Sequence, residues 1–247
     1  MSISDGTVAG TDERNRLSVS VVMIVKNGER LIGEALDSIF QSKIKPAEVL
    51  VVDGGSDDRT TEIARSFPLV RIIAQTSSGI AAAYNEGIDL TRGELVAFLS
   101  HDDLWTPGKL DIQVAFMVEN PDLLYTVGMV QHVLVPGTVI PPGFREEMLA
   151  RPQPGLIMET LVARRSIFDV VGRFDPSFPV SEDTDWFARA TDAGVRMAIL
   201  PDVLLLKRVH NANASLTEPK INKLLLRALR NSIARKKAAT GGNGDAE

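Results

Sequence analysis

The sequence contains no cysteine, few aromatic residues and only three histidines. Without cysteine there is no disulfide bond, no catalytic thiol and no sulfur-ligated zinc. No stretch reaches the roughly 20 consecutive apolar residues that a membrane-spanning helix needs. Residues 1–16 have neither the basic start nor the apolar centre of a signal peptide. We therefore expect a cytoplasmic protein that is not embedded in a membrane.

The sequence has no excess of positive charge except in one segment. The net charge of the 247 residues is −5, which argues against a nucleic-acid partner. Residues 220–237, however, carry seven basic and no acidic residues around apolar side chains at helical spacing. Such a helix can lie on the inner face of an anionic membrane. The alternatives are a helix packed on the rest of the chain and a homodimer contact.

Length and composition predict one main domain with a polar segment at each end. We expect a disordered arm over 1–16 and a globular domain over 17–217. A basic amphipathic helix over 218–237 and a disordered, Gly-rich tail over 238–247 would follow.

Apolar strands alternate with amphipathic helices over the first hundred residues, which predicts an α/β fold. The sheet should be mostly parallel with helices on both faces. Asn27, Asp53 and the pair Asp102-Asp103 each follow directly after a strand. Ligands of such sheets bind beyond the carboxyl ends of the strands, so we expect a site there. The Pro- and Gly-rich segment from Pro136 to Pro154 is predicted to be an irregular loop.

Asp102 and Asp103 are adjacent carboxylates, which repel each other unless a cation or hydrogen bonds compensate. Mg²⁺ or Mn²⁺ bridging a diphosphate would do so, since these ions favour carboxylate and phosphate oxygens. The alternative is a helix cap or a solvated turn. Asp53 can accept hydrogen bonds from a base or ribose, or it can simply form a turn with Gly54-Gly55.

Two later segments carry further polar groups. Glu182-Asp183 opens an amphipathic helix, where acids are favoured by the helix dipole alone. The alternative is a general base that deprotonates a hydroxyl. Arg208 and His210 end a strand and share one face of it, which suits a metal and a diphosphate. A lone His is otherwise more often structural.

Six segments in this order resemble the family-2 glycosyltransferases with the GT-A fold. The resemblance extends from about Val19 to Ser215 and rests on the following stretches: Val21–Asn27, Val51–Thr60, Gly79–Ile88, Gly93–Leu99, Gly172–Asp175 with Glu182-Asp183, and Arg208–Ser215. It implies a Rossmann-like nucleotide-binding half, an acceptor-side half and inverting transfer from a nucleotide sugar, most often a UDP-sugar. Acceptors in such a family are glycans or lipid-linked intermediates of surface polysaccharide or glycolipid assembly.

The resemblance also assigns roles to individual residues. Asp183 would be the catalytic base with Glu182 in support, and Asp103 and His210 would bind the metal. The nucleotide would be contacted by Asn27, Asp53, Asn85, Asp102 and Arg208.

Two departures from the family pattern put donor geometry in question. Ser100 and Ala82 stand where members often have Asp. A sugar nucleotidyltransferase and a non-catalytic nucleotide-sugar-binding protein are therefore kept as alternatives. The first would be expected to carry a Gly-rich loop with basic residues near the N-terminus, and here only Lys26, Gly28 and Arg30 are available. Against the second, the chain retains both acidic pairs.

Overall fold

A computed structural model describes residues 17–211, 213, 219 and 221–241. The predicted arm over 1–16 and residues 242–247 of the predicted tail lie outside these residues. In the described part of the chain, strands are β1 (Val19–Val25), β2 (Glu48–Asp53), β3 (Val70–Ala74), β4 (Leu95–Ser100), β5 (Leu104–Trp105), β6 (Tyr125–Leu134), β7 (Gln153–Pro154), β8 (Val162–Arg164) and β9 (Met197–Val209). They form one sheet in the order β3-β2-β1-β4-β8-β6-β9-β5, with β7 paired to β6.

The helices lie on both sides of this sheet. They are α1 (Ile32–Ile39), α2 (Thr60–Arg65), α3 (Ile80–Leu90), α4 (Lys109–Glu119), α5 (Glu147–Ala150), α6 (Ile167–Val170), α7 (Glu182–Asp192) and α8 (Ile221–Gly241), with a 3-10 turn at Met158–Thr160. Within the described residues, no helix is both long enough and apolar enough to cross a bilayer.

The first four strands form the parallel part of the sheet, as predicted. β1 lies between β2 and β4, and β3 pairs with β2. Because side chains alternate along a strand, Met23 of β1 belongs to the apolar cluster that includes Leu36 of α1. Val22 belongs to the opposite cluster with α3. A Cβ on Gly87 would approach Val22 to 2.3 Å, so only glycine lets α3 pack this closely.

The second part of the sheet is mixed. β8 runs antiparallel to both β4 and β6, while β9 is parallel to β6. The α/β class and the flanking helices are thus confirmed, and the parallel arrangement is limited mainly to the first four strands. The apolar segments 197–200 and 203–209 are one strand, β9, because a register shift opposite Val127 and Met129 absorbs the residues between them. The predicted loop from Pro136 to Pro154 contains α5 and β7.

The basic segment near the C-terminus forms α8, which packs against α7. Leu224 and Ala228 of α8 are buried against Phe178 and Val180, which precede α7. The structure therefore places one face of the predicted amphipathic helix on the domain. The helix runs to Gly241, into the segment predicted as a tail.

Candidate active site

A cleft of about 550 Å³ lies beyond the carboxyl ends of the first four strands. Its walls come from the segments that follow each strand: Lys26 after β1, Gly54 after β2, Gln75–Gly79 after β3 and Ser100–Asp102 at the end of β4. The predicted convergence of loops at this edge is therefore present, and the cleft is large enough for a small ligand such as a nucleotide.

Asn27 and Asp53 hold the loops at one side of this cleft. The main-chain N–H of Asn27 donates to the hydroxyl oxygen of Ser56 over 2.9 Å, and its side-chain oxygen accepts from the N–H of Asp57 over 3.0 Å. The hydroxyl of Ser56 in turn donates to Asp53 over 2.5 Å. Asn27 has a left-handed φ of 54°, which Asn tolerates better than most residues. Both predicted nucleotide-binding residues thus shape the loop.

Asn85 lies elsewhere. Its side-chain N–H donates to the carbonyl of Phe174, and its side-chain oxygen accepts from the N–H of Phe174, each over 2.9 Å. The amide therefore links α3 to the segment before α7. These two hydrogen bonds use the oxygen and one N–H of the Asn85 amide, which leaves few donor or acceptor positions for the nucleotide contact that the sequence predicted.

Asp102 and His210 meet at the cleft. A carboxylate oxygen of Asp102 lies 3.1 Å from Nε2 of His210 and 3.4 Å from the side-chain N–H of Asn213. Burial acts to raise the pKa of Asp102. The hydrogen bond to His210 and the positive charge of Lys207 outweigh it and hold the pKa below its ordinary value. Asp102 is therefore ionised at neutral pH.

Asp103 is completely buried and makes different contacts. One of its oxygens accepts from Nζ of Lys207 over 2.8 Å and the other from the main-chain N–H of Arg208 over 2.8 Å. Burial raises the pKa of Asp103 to about 7, helped by the charges of Asp102 and Glu159 and opposed by Lys207. The pKa of Lys207 is raised despite its burial, because Asp103 and Glu159 favour the ammonium.

Arg208 is buried and turned toward α1. Its guanidinium pairs with Glu34, donates to the carbonyl of Leu31 over 3.2 Å and donates to the carbonyl of Asp102. These contacts join β9, α1 and the loop after β4. The guanidinium thus fixes the position of Asp102, and its predicted contact with a diphosphate has no support in these bonds.

The predicted metal ligands are separated by these contacts. In the described residues, no group of three or more His, Cys, Asp or Glu side chains is arranged to hold a metal. Both oxygens of Asp103 already have donors, whereas Asp102 and His210 face each other. Mg²⁺ commonly binds through one or two carboxylates, with phosphate oxygens completing its coordination. Asp102 with His210 fits such a shared site, and metal binding by Asp103 stays a prediction.

Glu182 and Asp183 begin α7, directly after Ser181, which has a left-handed φ of 63°. Glu182 is 7% exposed, and one of its oxygens has no hydrogen-bond partner among the described residues. Burial, then the charge of Asp183, raises the pKa of Glu182 to about 8. Burial, then the charge of Glu159, raises the pKa of Asp183 to about 6. The half-buried Asp183 is therefore a carboxylate that can exchange a proton near neutral pH.

The position of α7 is set by contacts behind this pair. Trp186 donates from its indole to the carbonyl of Gly172 over 3.0 Å and packs on Phe174. Asp185, the third acid of this turn, pairs with Arg189 over 2.8 Å. The segment Gly172–Asp175 therefore orients the start of α7.

Two residues of the site, Glu159 and Lys207, were not identified from the sequence. Glu159, in the 3-10 turn, accepts from the hydroxyl of Ser100 over 2.5 Å and lies 3.8 Å from Nζ of Lys207. It supplies a carboxylate next to the position where Ser100 departs from the family pattern. Lys207 was detectable as the first charge after the apolar run of β9, whereas nothing local marks Glu159.

Sequence comparisons with known proteins point to one family. The model of the glycosyl transferase family 2 matches residues 20–161. An uncharacterized glycosyltransferase of Rickettsia typhi is 30% identical over 215 residues, which cover 81% of this chain and 66% of the relative. An uncharacterized protein of Mycobacterium tuberculosis is 31% identical over 211 residues, covering 78% of this chain and 59% of the relative. The chain thus spans somewhat less than two thirds of these relatives.

Solved structures share the fold. S. aureus TarS, as residues 1–349 in complex with UDP-GlcNAc, superposes with a TM-score of 0.68 at 20% identity. The match covers 94% of this chain and 68% of that one. A mycobacterial protein superposes with a TM-score of 0.65 at 20% identity, covering 87% of this chain and 74% of that one.

Proposed function

The chain belongs to glycosyl transferase family 2, and from this premise we propose that it transfers a sugar from a nucleoside-diphosphate sugar to an acceptor hydroxyl with inversion. One observation carries the proposal. A cleft beyond the strand ends has the ionised Asp102 in its wall, and the proton-exchanging Asp183 belongs to the same group of interacting charges. Donor binding and acceptor activation need groups of these two kinds.

The charges link the two parts of the site. The pKa values of both Asp103 and Asp183 respond to Glu159 and to Lys207. Coulomb interactions weaken with distance, so carboxylates that respond to the same two charges are expected to belong to one site. This supports a single reaction centre in which the donor lies in the cleft and the acceptor approaches α7.

Asp183 is proposed as the general base. The acceptor oxygen attacks the anomeric carbon, the bond from that carbon to the diphosphate oxygen breaks, and the hydroxyl proton passes to Asp183. A pKa near neutrality suits this task, because the base must be ionised before attack and must hold the proton afterwards. A single displacement of this kind inverts the anomeric carbon. Glu182, whose pKa of about 8 keeps it protonated at neutral pH, leaves Asp183 as the ionised member of the pair.

A divalent cation, Mn²⁺ or Mg²⁺, is proposed as cofactor, held by Asp102 and His210. Such an ion would neutralise the charge that develops on the departing diphosphate. Arg208 donates to the carbonyl of Asp102. Asn213 donates to the carboxylate of Asp102 and accepts from the main-chain N–H of His210 over 2.7 Å, so these contacts keep Asp102 and His210 in place. Asp103 instead anchors Lys207 inside the domain.

The donor is proposed to be a UDP-sugar, as in the complex of TarS with UDP-GlcNAc. Loops held by Asn27 and Asp53 would receive the nucleoside end of the donor in the cleft. We propose a glycan or lipid-linked acceptor, within surface polysaccharide or glycolipid assembly on the cytoplasmic side of the membrane.

The test is nucleotide release from a panel of UDP-, GDP- and dTDP-sugars with Mn²⁺, Mg²⁺ or EDTA. Slow hydrolytic release of UDP that requires a metal, and that is lost in Asp102→Asn, supports the proposal. Pyrophosphate formation from a nucleoside triphosphate and a sugar phosphate would instead indicate a nucleotidyltransferase. Tight binding without turnover of any donor, even with a broad range of acceptor glycans, would indicate a binding protein.

A further inference from the structure

The outer face of α8 carries a concentration of exposed apolar side chains. Leu225, Leu226, Leu229 and Ile233 are 40%, 52%, 57% and 46% exposed. Large apolar residues exposed elsewhere in the described chain are scattered singly among other elements. Four within nine residues form a contiguous patch, and such patches on soluble domains mark contact with a partner or a membrane.

The inner face of α8 is firmly attached to the domain. Arg227 lies 4.1 Å from the ring of Phe178 and 3.4 Å from a carboxylate oxygen of Asp175. Further along, Ser232 and Arg235 each donate to Asp192 of α7 over 2.8 Å. The helix therefore cannot turn its leucines inward without breaking these contacts, and the outer patch is a fixed feature of the surface.

Positive charge borders this patch. Lys223 and Arg230 are exposed, seven residues apart and hence close to the same side of the helix, next to Leu226. Neither forms an ion pair within the described part of the chain. Since α8 also contains no acidic residue, its outer face is both apolar and cationic. An interfacial helix combines these properties in this arrangement.

We infer that the outer face of α8 binds an anionic membrane surface. The leucines and Ile233 would enter the boundary between headgroups and acyl chains, and Lys223 and Arg230 would contact lipid phosphates. A second copy of the chain fits less well. In a two-fold dimer the same face meets itself, which would oppose cations to cations with no acid on α8 to neutralise them.

The location of α8 gives this contact a consequence for the reaction. The helix packs on α7, whose first turn carries Glu182 and Asp183. A bound membrane would then lie on the side of the domain from which the acceptor approaches. This consequence rests on the proposed function, whereas membrane binding itself does not and can be measured without any donor.

The test is co-sedimentation of the full chain with phosphatidylcholine vesicles that contain or lack phosphatidylglycerol. Binding is expected only to the anionic vesicles and should weaken at high salt. Lys223→Gln/Arg230→Gln should lower the partition coefficient on the order of 30-fold, given about 1 kcal/mol per cation near such a surface. Leu226→Ser/Leu229→Ser/Ile233→Ser should lower it on the order of tenfold or more.

Matched control variants remove the same number of charged or apolar side chains at positions away from α8. Lys43→Gln/Arg65→Gln removes two other exposed cations, and Val139→Ser/Leu156→Ser/Val170→Ser removes three other exposed apolar side chains. Both controls should bind as the parent chain does. The inference is overturned if anionic vesicles fail to bind the chain, or if the α8 variants and controls bind alike. A stable dimer that the α8 variants dissociate would assign the face to a second copy instead.

Discussion

The two parts of the sheet build the candidate site in different ways. From β1 to β4, each wall of the cleft is the segment directly after a parallel strand, so strand order alone brings the walls together. From β5 to β9, the essential contacts join distant residues, such as Asp103 and Lys207, across a mixed sheet. The cleft therefore follows from topology. The charge cluster, which consists of Asp102, Asp103, Glu159, Glu182, Asp183 and Lys207, depends on tertiary packing.

The two parts of the sheet should therefore respond differently to amino-acid substitutions. The first part should tolerate substitutions that keep its loops, because main-chain geometry creates the cleft. The second part places several carboxylates and one ammonium in a buried space, where each charge depends on its neighbours. Single substitutions there should have large effects on the reaction or on the free energy of unfolding.

The largest expected effect is on the reaction itself. Asp183→Asn removes the proposed base while keeping the size of the side chain, so turnover should fall by about 10² to 10⁴. Donor affinity should stay unchanged, because the cleft belongs to the first part. Steady-state kinetics and calorimetric titration of the donor measure the two quantities. Asp169→Asn, at an exposed carboxylate of α6, is the control, and equal rates in both variants would refute the base assignment.

The next effect is on stability. Lys207→Met leaves Asp103 buried without its ammonium partner, which should lower the free energy of unfolding by about 3 kcal/mol. Urea denaturation measures this loss. In the double variant Lys207→Met/Asp103→Asn, a neutral amide replaces the carboxylate and still accepts from the N–H of Arg208. It should be more stable than Lys207→Met alone. Additive losses in this cycle would show that the two residues do not interact.

A smaller effect is expected where the two parts join. Asn85→Ala removes both bonds to Phe174 and should lower the free energy of unfolding by about 1–3 kcal/mol. If Asn85 is a link and makes no nucleotide contact, donor affinity should change little. Thermal shifts with and without UDP report both properties in one experiment. A loss of UDP binding with unchanged stability would restore the contact that the sequence predicted.

The first part of the sheet was predictable because each of its elements is determined by a short stretch of sequence. The apolar run Val49–Val52, the following Asp53 and the turn after it place a strand end and a polar group without knowledge of any other segment. The spacing of apolar residues likewise marks α1, α3 and β4 in the sequence. The cleft then follows from the rule for parallel sheets.

The charge cluster was predictable only in part. Asp102, Asp103, Glu182 and Asp183 stood out as acidic pairs at element boundaries, but their partners did not. Asp103 has Lys207 as its partner because a bulge in β9 sets the register of the strand, and Glu159 reaches Ser100 from a short 3-10 turn. Such pairings depend on packing over about a hundred residues, which periodicity does not report.

The smallest expected effect concerns pH and tests whether both parts act as one site. Asp183 must be ionised to accept a proton, and burial with the charge of Glu159 raises its pKa to about 6. The ratio kcat/KM should therefore fall about tenfold per unit as pH decreases below 6. Stability has the opposite dependence, because a raised folded-state pKa favours the protonated, folded form, and this contribution is lost as pH rises from about 4 to 6.

Glu159→Gln sharpens this test. Removing the Glu159 charge takes away the second cause of the raised pKa, so the acidic limb of the activity profile should shift to lower pH. A Gln side-chain oxygen can still accept from Ser100, which keeps the local geometry. The residual activity of Asp183→Asn should lack this limb altogether. If the acidic limb of the activity profile stays at the same pH in Glu159→Gln, the charge of Glu159 does not control the pKa of Asp183.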